Sequence, residues 1–121
     1  MSFVALWLGV GLIGGAASVI RFLVHGLFPA DRRAGFPLGT LVVNVTGSLV
    51  LGLLVGAAVH GDAYLLAGTA AVGSYTTFST WMLDTERLSS RTGRLVAAAN
   101  ILIPLALGVG AVELGRTLAG G

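Results

Sequence analysis

The sequence predicts an all-α integral membrane protein of four transmembrane helices, with the third broken at mid-membrane. Three observations carry this. Charged residues are only 10% of the 121 positions and apolar ones 55%, outside the balance of a water-soluble domain. Four uncharged runs, residues 1–20, 34–59, 63–83 and 95–112, measure 20, 26, 21 and 18 residues. A bilayer core asks for roughly 20 apolar residues of helix. The third run ends in GSYTTFSTWM, a crowd of hydroxyl side chains where an unbroken span would be apolar. A soluble bundle is excluded because its helices would alternate polar and apolar faces through each run.

The whole chain is a single four-helix domain, 1–121, with spans over roughly 3–27, 37–59, 63–83 and 95–117. The first span runs on through Arg21, whose long stem lets the charge reach the interface near a helix end. Its opening, MSFVALWLGVGLIGG, has no positive leading segment and is long enough to span, so it reads as a retained helix and not a signal peptide. The first connection, FPADRRAGFPLG, is punctuated by Pro29 and Pro37 and loosened by Gly35 and Gly39. The second is very short, around His60, Gly61 and Asp62. The third, DTERLSSRTGR, is charged and reads as a connection before the last span. Gly11 with Gly15, and Gly52 with Gly56, form GxxxG pairs that predict close helix packing.

Arginine placement orients the chain. Arg32 and Arg33 in the first connection and Arg87, Arg91 and Arg94 in the third stand against Arg116 alone on the opposite side. The positive-inside rule then puts the first and third connections in the cytoplasm and both termini outside, in a multi-pass protein of the cell membrane surrounded by lipid.

Several functions are excluded. There is no cysteine, hence no disulfide, thiol nucleophile or thiolate metal site. A formal charge of +2, all of its basic side chains arginine and scattered, does not make a nucleic-acid surface. No His–carboxylate cluster or nucleophile–base pair supports an enzyme. A small multidrug exporter would need a carboxylate inside the membrane. Asp84 and Glu86 lie at the charged end of the third span and read as solvated helix-end charges, and Glu113 sits at the end of the fourth.

The polar residues that remain are the candidate site. Asn44, deep in the second span, either bonds a neighbouring helix or faces water. Thr46 and Ser48 can bond back to their own helix. Arg21 is either a snorkelling anchor or a positive lure at the mouth of an anion path. His25 and His60, near span ends, read as interfacial. In GSYTTFST the hydroxyls after Gly73 can break the helix, and irregular backbone at membrane depth is tolerated only inside protein or beside water. Such a break frees carbonyls that suit an alkali cation and amides that suit an anion. Phe78 and Trp81 lie three apart, on one helical face, and their ring edges carry positive potential; packing between helices is the other reading of the pair. Amide, hydroxyl and ring edge, with Thr77 and Ser79 among the hydroxyls, are the donors that a hydrated anion needs in exchange for water.

At these residues the chain resembles the Fluc family of bacterial fluoride channels, also called CrcB, over nearly its whole length. GGAASVIRF is similar to the family's glycine-rich first helix, PLGTLVVNVTGSLVLG to its second-helix signature and GSYTTFSTW to its broken third helix. The resemblance implies an antiparallel, dual-topology type of dimer with two fluoride pores that let fluoride leave the cell passively and so limit its toxicity. It implies a structural sodium ion, not transported, on the backbone carbonyls of Gly73 and Thr76 at the dimer interface. It makes Asn44 the pore asparagine, Phe78 the first pore phenylalanine and Arg21 the vestibule arginine. Trp81 stands where the family usually has a second phenylalanine, and its indole adds an N–H donor. The fourth helix lacks the family's hydroxyl track, offering only Asn100 before Glu113. With arginines biased five to one, the chain is expected to keep one orientation and to pair with an oppositely oriented sibling in preference to itself. In such a pair this chain could be the non-conducting partner.

Overall fold

The structure is a computed structural model that describes residues 1–28 and 36–121. Pro29, Arg32, Arg33 and Gly35 of the first connection lie outside the described residues. Among those described, every regular element is helical. Three helices are long and apolar enough to cross a membrane: α1 (Phe3–Gly26), α2 (Leu38–Gly56) and a last helix, α6 (Arg94–Leu118), each with a mean hydropathy of 2.0 or more. Between α2 and α6 the chain forms α3 (Gly61–Tyr64), a π-helix (Leu65–Val72), α4 (Gly73–Tyr75) and α5 (Ser79–Thr92).

Helix α1 starts at Ser2, whose hydroxyl accepts a hydrogen bond from the Ala5 amide at 3.1 Å. It leans on the π-helix and α4 through Gly9 and Gly14. A Cβ on these would lie 3.2 Å from Leu66 Cδ2 and 3.1 Å from Ser74 Oγ. Gly11 and Gly15, the pair whose spacing predicts packing, meet nothing within 4 Å. The spacing identifies a small-residue ridge, but the side of the helix that a neighbour occupies is decided by packing.

The second pair does pack. Gly52 and Gly56 of α2 press against the carbonyls of Val112 and Arg116, and Gly115 of α6 presses against the Leu49 carbonyl. No side chain intervenes, so α2 and α6 touch backbone to backbone, as small residues allow in lipid. After α2 the chain reverses at Ala57–Val59, where Ala58 takes φ 57°. The Met1 amino group then lies 3.8 Å from Asp62, joining the start of α1 to the second connection.

The third connection differs from its prediction. Residues 84–92 are the continuation of α5, and the turn is Gly93 alone, at φ 104°. Its charges signal an exit from the apolar phase and do not end the helix. Thr85 and Leu88 remain buried against α6, so the part of the chain that the sequence predicts as a connection is the amphipathic end of α5.

Apolar side chains cover the outside: Phe3, Leu12, Phe22, Leu95 and Leu118 are each more than two-thirds exposed. Several of the most enclosed residues are polar, with Thr40 and Asn100 each 1% exposed. A surface this apolar over a partly polar interior is that of a membrane protein.

Candidate functional site

Helical hydrogen bonding stops after Tyr75 and resumes at Ser79, with Thr76 extended at ψ 161°. The cause is a side chain 33 positions away. Asn44 Oδ1 accepts from the Thr77 amide at 2.8 Å, and Asn44 Nδ2 donates to the Thr77 carbonyl at 2.8 Å. In a continuous helix the Thr77 amide would bond Gly73, four residues back. Asn44 takes that amide instead, and among the described residues no donor reaches the Gly73 carbonyl.

Threonine chemistry finishes both ends. Thr76 directs its amide and hydroxyl to Val72 O, at 3.0 and 3.1 Å, closing α4. The Thr77 hydroxyl accepts from the Thr80 amide at 3.2 Å, capping α5. Helix α2 is the platform beneath. Gly47 lies so close under the break that a Cβ there would run into Thr76 Cγ2, and Thr46 Oγ1 meets the Tyr75 hydroxyl at 2.9 Å. Thr46 and Ser48 also bond back to Val42 O and Asn44 O, both at 2.7 Å. Reading the sequence missed Gly47 and Tyr75; the close spacing of Asn44, Thr46 and Gly47 in NVTG was the available signal.

Asn44, Thr76, Thr77, Phe78 and Trp81 line one groove of about 510 Å³, whose far wall is α6 from Pro104 to Glu113. Phe78 is 70% exposed and meets Trp81 edge to face, with centroids 5.9 Å apart and planes at 87°. The indole N–H is not free to meet a ligand: it donates to the Asn100 carbonyl at 2.6 Å. Thr77 also borders a smaller cleft of about 230 Å³ with Arg21, Phe22, His25 and Thr80. There Arg21 Nη1 lies 3.5 Å from the Thr76 carbonyl, a long contact. Gly73 and Ser79 are exposed and are not among the lining residues of either space.

Two further groups depart from the sequence reading. Asp84 is not simply a solvated end charge, since Thr40 Oγ1 donates to it at 2.7 Å, and His25 Nε2 lies 3.3 Å from the same hydroxyl. Asn100, noted only as a lone polar residue, is buried and donates to Thr85 Oγ1 at 2.9 Å. Among the described residues no cluster of three His, Asp or Glu groups is placed to hold a metal.

The family model described as "CrcB-like protein, Camphor Resistance (CrcB)" matches residues 8–116. The chain belongs to the CrcB family. It is 52% identical over 119 residues to "Fluoride-specific ion channel FluC 2" of Mycolicibacterium paratuberculosis, covering 98% of each chain. It is 52% identical over 116 residues to the protein of the same name in Mycobacterium tuberculosis, covering 96% of this chain and 92% of that one. "Fluoride-specific ion channel FluC 1" of Rubrobacter xylanophilus is 46% identical over 102 residues, 84% and 82% of the two chains. The CrcB family is a family of channels and not of enzymes.

Proposed function

We propose that this chain is a subunit of a fluoride-specific channel in the plasma membrane, giving passive fluoride exit. The observation that carries the reading is the reciprocal pair between Asn44 and Thr77, which holds a helix open beside a groove that Thr76, Thr77, Phe78 and Trp81 share with apolar side chains of α2 and α6. Residues 61–75 and α5 together form the remaining crossing, third in chain order, with 76–78 as its break inside the membrane. One Nδ2 hydrogen of Asn44 is left over from its pairing with Thr77, and the Thr77 hydroxyl, accepting from Thr80, keeps its own proton to donate. Phe78 and Trp81 supply positive ring edges, and Ser79 an exposed hydroxyl. Arg21 in its cleft draws anions toward the break from one side. The names of the relatives support fluoride as the ion.

Gly73 fits a structural sodium ion, because its carbonyl has lost its helical donor to Asn44. Thr76 fits less well, since the guanidinium of Arg21 stands beside its carbonyl. Gly73 and Thr76 would hold the ion through their carbonyl oxygens, and it would supply a positive charge that offsets those partial negative charges. Two oxygens from one chain do not complete an alkali-ion shell, which supports a second, antiparallel subunit. The arginine bias, with Arg87 and Arg91 on α5 and Arg94 beside them, favours a sibling in the opposite orientation over a second copy. In that arrangement this chain could contribute a non-conducting pore wall.

Fluoride efflux from liposomes holding this chain alone, purified with and without sodium, tests the reading. Sodium-dependent efflux that excludes chloride is expected of a working homodimer, and efflux only with a sibling is expected of a paired subunit. No efflux in either case overturns the channel assignment.

A further inference from the structure

Trp81 is held in a way the helix break does not require. Its indole N–H donates to the Asn100 carbonyl at 2.6 Å. Asn100 precedes Pro104 by four residues in α6, and Pro104 is buried inside that helix. A helix carbonyl ordinarily receives the amide four positions on, and proline has none to give. The carbonyl that accepts the indole is therefore the one that Pro104 leaves open. The Asn100 side chain closes the circuit, donating to Thr85 Oγ1 at 2.9 Å, while Thr85 Oγ1 donates to Trp81 O at 2.8 Å. One buried residue of α6 so holds the Trp81 ring directly and is linked to its backbone through Thr85.

We infer that Pro104 and Asn100 are positioning residues for Trp81: the gap in α6 fixes the indole against the groove wall, at right angles to Phe78, and thereby sets the width of the anion path. This rests on the channel reading. With its N–H occupied, the indole offers the path a ring edge and no polar donor, and its bulk is tolerable because it cannot swing into the groove. Pro104 lines the same groove as Trp81, which places anchor and wall together. Each of the two residues answers a need that the other creates. Proline without the indole leaves a buried carbonyl short of a donor, and the indole without proline competes with a backbone amide for one acceptor.

The test is a double-substitution cycle with two readouts. Pro104→Ala restores an amide at 104 that competes for the Asn100 carbonyl, Trp81→Phe removes the indole, and the pair together leaves a regular helix with a freely seated ring. The ¹⁵N indole resonance is followed in the protein reconstituted in micelles, with Trp7→Phe used to assign the two indoles. The Trp81 signal is expected to shift in Pro104→Ala. Fluoride flux is expected to fall about tenfold in each single variant, the worth of one hydrogen bond, and to recover in the double. An unmoved indole signal overturns the lock. A shifted signal with unchanged flux in Pro104→Ala overturns its role in positioning the wall, as does a double variant whose loss is the product of the single losses. If the parent chain conducts no fluoride, alone or paired with a sibling, the channel reading fails instead. The indole shift and the melting temperatures of the same cycle then still decide whether the lock exists.

Discussion

Replacing Asn44 by aspartate should abolish conduction while sparing the fold, and the size of the effect follows from the geometry. The acceptor half of the pair survives, because a carboxylate oxygen can still take the Thr77 amide that lies at 2.8 Å. The donor half does not, and an oxygen then faces the Thr77 carbonyl where Nδ2 stood at 2.8 Å. Loss of that bond, with two oxygens then facing each other, costs about 1–3 kcal/mol, read as a lowered melting temperature in a subunit that still folds. The charge does more. At an effective dielectric of about 20, a fluoride within about 4 Å of the carboxylate is repelled by about 4 kcal/mol, which lowers its occupancy roughly a thousandfold. The assay is efflux from proteoliposomes followed with a fluoride electrode, alongside size-exclusion and thermal melting in detergent. Flux within twofold of the parent, in a monodisperse sample, would refute the placement of Asn44 beside the ion.

Three other outcomes are expected. Gly52→Ala drives a Cβ into the Val112 carbonyl and should destabilise the α2–α6 contact by about 1–3 kcal/mol or more, read as a lowered melting temperature, whereas Gly11→Ala should change it little. Thr77→Val keeps the shape of the side chain but removes the cap on the Thr80 amide, a loss of about 1 kcal/mol that hydrogen exchange at that amide should report as faster opening. In the cysteine-free chain, Asp62→Cys should react with an impermeant maleimide in intact cells and Ser90→Cys should not; equal labelling of both would show insertion in two orientations.

Membrane class was legible in the residues because it depends on a local property, the length of an uncharged run. Composition and those runs pick out the three apolar segments that form α1, α2 and α6. The hydroxyl cluster after Gly73 likewise marks where helical bonding stops. The charged end of the third span misled for the same reason that the runs succeeded. Charge reports the solvent around a segment, and 84–92 stays helical because Thr85 and Leu88 still have α6 to pack on.

What breaks the helix was not legible. Asn44 could be singled out as costly in hydrocarbon, yet its partner, the Thr77 backbone, is 33 positions away and carries no side-chain signature. The same holds for Trp81 and the Asn100 carbonyl, where an indole in one helix meets a vacancy that a proline creates in another. Glycine spacing named Gly11 and Gly15 as readily as Gly52 and Gly56, and only the relative rotation of the helices gave a neighbour to the second pair. Burial in lipid follows from the chain's own hydropathy, residue by residue. Which backbone group each polar side chain satisfies follows from the register between helices, and that register exists only once they have packed.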